Sequence, residues 1–159
     1  MASSDSNEER DKRTYTTVPV GKSPKASSKS VTRSMKSNRA SGTMPELTLA
    51  RLLRRKLVSS DLPGRPDIVY AGSKVAVFVH GCFWHRCPEC NLGLPKTNTD
   101  FWRRKFERNV ERDKINREVL QSEGWAVVEV WEHQIREESS QAAERVRSLV
   151  RARKRIPVR

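Results

Sequence analysis

The sequence predicts an α/β domain, a mixed central sheet flanked by helices, with elements in the order α-β-β-loop-α-β-α. Three observations carry this. Residues 75–79 (VAVFV) and 126–131 (AVVEVW) are strand-length runs rich in β-branched and aromatic residues. The stretches 99–121 and 137–153 place apolar residues at helical spacing. Between the first strand run and the first of these stretches, residues 80–96 follow no regular period and hold all three cysteines.

Residues 1–30 are rich in Ser, Lys, Asp and Glu with almost no periodic apolar residues, which predicts a disordered tail. The basic, Ser-rich stretch 29–39 (KSVTRSMKSNR) reads either as more tail or as an arm that orders on phosphates, with Arg33, Lys36 and Arg39 as its contacts. A folded domain is expected over 31–155, the arm being 31–44. A helix is predicted over 45–58. Thr43, Pro45 and Glu46 suit its start, and Leu47, Leu49, Ala50, Leu52 and Leu53 form its apolar face. SSDLPGRP is a turn, 67–70 a short strand and 71–73 a tight hairpin connection. The run 75–79 reads as a central strand buried on both faces. Asn98 or Thr99 caps the long helix and Gly124 ends it. After the strand 126–131, the last helix uses Ala142, Ala143, Val146, Leu149 and Val150. No internal repeat is visible.

A chain of 159 residues suits one domain with a modest core. Its net charge of +13 implies a polyanionic partner, more commonly nucleic acid than an anionic membrane surface. No apolar run approaches the roughly 18 residues a membrane span needs. The N-terminal MASSDSNEERDKRTY lacks the apolar core of a secretory signal, so a soluble, cytoplasmic protein is expected.

Cys82, Cys87 and Cys90 fall within nine residues, and an odd number cannot all pair. In a reducing compartment such a cluster points to metal. The C-x2-C spacing lets two thiolates reach one ion, and zinc takes four soft ligands in a tetrahedron. His133, just after the last strand, is the best fourth ligand; His85, inside the cysteine loop, competes. A closed Cys3His site is structural, since no position is left for water. The alternative is three free thiols.

Asp67 opens a strand whose hairpin partner ends at Val79-His80, a placement that suits a magnesium ion, which keeps most of its waters. A solvated turn residue is the plainer reading. On the helix from Thr99, Trp102, Phe106, Val110, Asp113 and Leu120 share one stripe, which turns Asp113 inward. A buried carboxylate needs a partner. Either it orients a histidine, His80 or His85, or it pairs with Arg65, Arg112 or Arg117; the residues alone leave these equal. Phe83 and Trp84 in the cysteine loop, with Trp102 beside them, suggest wedges or platforms for bases. A small local core around the metal is the alternative.

LPGRPDIVY, VFVHGCFWHRCPEC, PKTNTDFWRRKFERNVERDKIN and EGWAVVEVWE together resemble the very-short-patch repair (Vsr) endonucleases, over roughly residues 32–152. HGCFWH downstream of PGRPD is the most specific part. The resemblance implies a variant of the restriction-endonuclease fold. It also implies nicking of duplex DNA 5′ to the thymine of a T:G mismatch left by deamination of 5-methylcytosine. In its terms Asp67 binds Mg2+ and Val79 offers a backbone carbonyl, where the family often has threonine. His85 is the general base, oriented by Asp113, and His80 a second catalytic histidine. Glu46 matches the family's N-terminal-helix glutamate, which contacts water on the metal. Phe83, Trp84 and Trp102 match wedging aromatics, and the segment before Glu46 an arm that embraces DNA. With His85 assigned to catalysis, His133 is left to complete a structural Zn2+ site, although the best-known relatives mix Cys and His differently. VAVFVH lacks the acidic residue and lysine usual on the second strand of the wider fold. A monomeric, bacterial, nucleoid-associated enzyme is expected, with mismatch-repair proteins as candidate partners. Two other readings remain: a nuclease of the same fold in host defence, and a zinc-braced DNA-binding module without catalysis.

Overall fold

The computed structural model describes residues 41–154 together with Lys29; Arg33, Lys36 and Arg39 of the expected arm, and the rest of the 1–30 tail, lie outside the described residues. The elements are α1 (Met44–Leu52), β1 (Ile68–Tyr70), a 3-10 turn (Ala71–Ser73), β2 (Val75–His80), α2 (Thr99–Ser122), β3 (Ala126–Trp131) and α3 (Glu132–Lys154). The predicted order holds among them.

The sheet has three strands in the order β1-β2-β3. β1 pairs antiparallel with β2 and β3 parallel with it, so the sheet is mixed as predicted. Val75, Ala76 and Val77 are fully buried, which confirms β2 as a central strand covered on both faces. Val77 and Val130 join Ile68 and residues of α1 and α3 in the main core. Side chains alternate across a strand, so Phe78, His80, Glu129 and Trp131 share the opposite face. That face meets α2: Arg117 of α2 bonds Glu129.

Helix α1 is shorter than its apolar pattern predicts. It ends at Leu52 because Arg54 adopts a left-handed backbone (φ 50°). Arg54 N–H then donates to Arg51 O at 3.1 Å and Arg55 N–H to Ala50 O at 2.9 Å, the two bonds of a Schellman cap. The same device closes α2, where Gly124 (φ 82°) occupies the equivalent position, as predicted. At the start of α1, Glu46 reaches back, accepting from Gly42 N–H at 2.6 Å and from the Thr43 hydroxyl at 2.7 Å.

The β1–β2 connection falls at Ala71–Ser73 as expected, as a 3-10 turn closed by Lys74 in the left-handed region (φ 47°). One further expectation needs correction. Helix α3 begins at Glu132, directly after β3, and is interrupted at Glu138 (φ −139°, ψ 50°). Periodicity detected the part beyond the kink, not the first turns that carry His133 and Ile135. Among the described residues no helix is long and apolar enough to cross a membrane.

Candidate active site

The site is built where β1 and β2 meet. Asp67 lies just before β1; its N–H donates to Val77 O at 2.9 Å, which locks it to β2. Its Oδ2 accepts from Val79 N–H at 2.7 Å. Burial raises the Asp67 carboxyl from 3.8 to about 6; the Val79 bond opposes this and the nearby Glu46 carboxylate adds to it. Glu46 is itself buried, at 6 % exposure, with its oxygens on the start of its own helix. The structure therefore brings Glu46 within electrostatic reach of Asp67, not into one ligand cluster with the histidines.

One residue beyond Val79, His80 is buried, and its ring stacks on that of His85 with centroids 4.3 Å apart and planes 28° apart. His85 Nδ1 lies 2.5 Å from Asp113 Oδ2. This decides the question of Asp113's partner. Arg112 touches the other oxygen only at 3.8 Å, and Arg117 pairs with Glu129 instead. An ionised carboxylate only accepts, so in a neutral His85 ring the proton sits on Nδ1 and the lone pair on Nε2. His80, His85 and Asp113 also lie close enough to suggest a shared metal. However, stacked rings direct their in-plane lone pairs side by side rather than at one point. The arrangement suits a pair of proton-handling groups.

Glu129 was not among the expected site residues. Its Oε1 accepts from Arg117 Nη1 at 2.7 Å and lies 3.5 Å from His80 Nε2. Its signal in the sequence is a lone acidic residue in an otherwise apolar strand. Those contacts hold the Glu129 carboxyl below the ordinary glutamate range, with His80 the larger cause.

Next to the histidines the cysteine loop folds on itself. Glu132 Oε2 accepts from Cys82 N–H at 3.3 Å, Cys87 N–H donates to Cys82 O at 3.0 Å, and Asn91 N–H to Cys87 O at 3.0 Å. One ligand atom from each of Cys82, Cys87, Cys90 and His133 lies within 4.8 Å of the others. His133 Nδ1 is 3.3 Å from Cys82 Sγ and 3.6 Å from Cys87 Sγ. With zinc–sulfur bonds near ~2.3 Å and zinc–nitrogen near ~2.0 Å, a tetrahedron has edges of about 3.5 Å, so these residues fit the ion. His133 Nε2 faces Glu89 Oε2 at 3.0 Å, the second contact that a histidine metal ligand normally makes. His85 stands outside this group.

Phe83, Trp84 and Trp102 gather around the buried ring of Phe106, with Phe83–Phe106 centroids at 5.0 Å and Trp102–Phe106 at 5.7 Å. They form a small satellite core, yet all three remain partly exposed. Lys105 Nζ sits 5.3 Å from the Trp84 ring and 5.2 Å from that of Trp102, so the patch is both aromatic and cationic. Asn109 Nδ2 donates to Trp84 O at 3.1 Å and pins the patch to α2. Val110, expected inward, is 44 % exposed.

A basic chain that presents such a patch beside carboxylate-held imidazoles has the equipment of a DNA endonuclease. The comparisons with known proteins agree. A family model described as DNA mismatch endonuclease Vsr matches residues 25–92. The type II nicking enzyme V.NaeI of Lentzea aerocolonigenes is 42% identical over 112 residues, 64% of this chain and 67% of that protein. V.NmeDIP of Neisseria meningitidis serogroup C, also named a type II nicking enzyme, is 41% identical over 123 residues, 74% and 83%. The DNA mismatch endonuclease Vsr of Escherichia coli strain K12 is 42% identical over 81 residues, 51% and 52%. The chain belongs to the Vsr endonuclease family.

Proposed function

We propose that this endonuclease nicks one strand of duplex DNA 5′ to the thymine of a T:G mismatch, the lesion left when 5-methylcytosine deaminates, with Mg2+ as catalytic and Zn2+ as structural ion. The observation that carries the chemistry is the 2.5 Å contact of His85 with Asp113, beside His80, which directly follows the Val79 whose N–H bonds Asp67. With Nδ1 protonated toward Asp113, His85 presents Nε2 to take a proton from an attacking water. His80 stands at the scissile phosphate. Asp67, with the Val79 carbonyl, would hold the magnesium, and Glu46 would act through its water. When bound, that ion supplies charge stabilisation for phosphoryl transfer. Asp67 fits the role: a half-buried carboxylate near the buried Glu46 carries an unfavourable charge that a divalent cation relieves.

Cys82, Cys87, Cys90 and His133 would brace the loop through zinc, which holds Phe83 and Trp84 rigidly beside the histidines. With Trp102 they would wedge into the base stack. Unstacking costs a few kcal/mol per step, less at a mismatch, so the wedge favours mismatched sites. Arg33, Lys36 and Arg39 would add phosphate contacts from the arm. The whole is a monomer on a variant of the restriction-endonuclease fold.

The test is single-turnover nicking in magnesium across a panel of duplexes: T:G, the other single mismatches, matched DNA and methylated DNA. Cleavage confined to T:G supports the reading. Equal cutting of matched or methylated duplexes moves the protein to host defence. Binding without cutting leaves a zinc-braced DNA-binding module.

A further inference from the structure

We propose that Glu129 is a positioning residue of the active site, fixing the His80 imidazole through Nε2 so that Nδ1 is left as the nitrogen available to the substrate. The inference rests on the reading of His80 as an active-site residue.

The placement follows from the sheet. Phe78 is the parallel partner of Glu129 and His80 that of Trp131. Residues two apart on a strand share a face, so the Glu129 and His80 side chains emerge together toward α2. An acidic side chain in the middle of AVVEVW is costly unless its charge is met. It is met twice at one atom. Oε1 accepts from Arg117 Nη1 at 2.7 Å and faces His80 Nε2 at 3.5 Å. The Arg117 bond alone would satisfy a structural pair, but the carboxylate lies at the point where it also confronts the imidazole.

His80 cannot turn away from it easily. The ring is 6 % exposed, stacked on His85 and tilted against Trp131 at 5.3 Å. With the ring plane fixed by stacking, what remains open is which nitrogen bears the proton, and an acceptor beside Nε2 decides that. The neighbouring histidine is set the opposite way, through Nδ1 by Asp113. Two stacked imidazoles are thus held by carboxylates on different nitrogens: His85 offers Nε2 and His80 offers Nδ1. Two groups presented through different atoms can take different parts in one hydrolysis, where two identical presentations would compete for the same place.

The test uses the full chain loaded with zinc. In the unsubstituted protein, nitrogen-15 NMR of the neutral His80 ring is expected to show a protonated Nε2 and a bare Nδ1. The reversed tautomer overturns the proposal without any variant. Glu129→Ile keeps a β-favouring side chain and removes the acceptor. It is expected to slow single-turnover nicking about 10-fold or more while duplex Kd changes less than about threefold. Glu129→Gln, whose carbonyl still accepts, is expected to recover most of that rate and the tautomer. A wild-type rate in Glu129→Ile, or a loss that Glu129→Gln does not recover, overturns the proposal. His80→Ala separates the two levels. If it is slow and Glu129→Ile is not, this inference alone fails; if it too nicks at the wild-type rate, the reading of the site fails and takes this inference with it.

Discussion

Asp67 shows how a single residue can be placed at the expense of stability. Its carboxyl sits at about 6 because burial outweighs the backbone bonds that it receives, the Val79 bond first among them. Below the ordinary value of 3.8 the group is protonated in folded and unfolded chains alike. As pH rises through about 6, the folded chain must release a proton that it holds more tightly than the unfolded chain does. Ion-free stability therefore falls between pH 4 and 6 and stays lower above, by at most roughly 3 kcal/mol. Zinc-loaded and without magnesium at pH 8, Asp67→Asn should melt at a higher temperature than the unsubstituted chain, and it should not nick. Magnesium should raise the melting temperature of the unsubstituted chain and leave the variant's unchanged. A variant that melts lower without magnesium would show that the Val79 bond, not burial, dominates. At the proposed zinc site, Cys87→Ser should abolish zinc binding and cost several kcal/mol, since a structural zinc contributes folding energy directly. Measured zinc content and the melting temperature check this. Glu89→Gln, at the residue that faces His133 Nε2, should weaken zinc binding by roughly 10-fold without emptying the site.

At the scale of elements, the helices were legible because each has one wet and one dry side, and the central strand because a run buried on both faces is continuously apolar and β-branched. The ends were less so. The end of α2 could be read because Gly124 supplies the left-handed position at little cost. The end of α1 could not, because Arg54 adopts that conformation with a side chain that does not advertise it. Arg54→Gly should accordingly stabilise the domain by about 0.5–1 kcal/mol, measured by denaturant unfolding. Val110 was misplaced for a reason of length. A 24-residue helix runs about 36 Å, whereas a six-residue strand spans about 20 Å, so α2 overshoots the sheet. Its early turns meet the aromatic loop instead, and Val110 lines a shallow groove of about 440 Å³ with Arg86, Leu94 and Phe106. The approach to β1 is held differently. Gly64 (φ 75°) lies so close to α2 that an added Cβ would come within 3.0 Å of the Asn116 side chain. Gly64→Ala combines backbone strain with that collision and should cost about 1–3 kcal/mol. Because the same turn delivers Asp67, nicking should fall more than stability accounts for.

At the scale of the whole molecule, the partners of the site residues were the least legible part, because they come from elements far apart in the chain. Asp113 was placed inward by periodicity, but the residues alone left His85 and the arginines equal; the family resemblance pointed to His85, and the contact itself depends on the cysteine loop folding back over α2. Glu129 met His80 only through the parallel register of β2 and β3. Charge, by contrast, was legible from composition, and it makes a prediction that no single residue makes. A chain of net charge +13 that acts on DNA draws much of its affinity from phosphate contacts that release counterions. With Z such contacts, the logarithm of the binding constant falls with log salt at a slope of about −0.9Z. On the proposal that Arg39 contacts a phosphate, Arg39→Ala should lower the slope by about one and weaken T:G and matched duplexes alike. Trp102→Ala should instead leave the slope unchanged and reduce the preference for the mismatched duplex, since an aromatic ring releases no counterions and acts only where bases are unstacked. Fluorescence anisotropy titrations of both duplexes at several salt concentrations separate the two effects. If Trp102→Ala alters the slope and spares the preference, the aromatic patch contacts the backbone rather than the base stack.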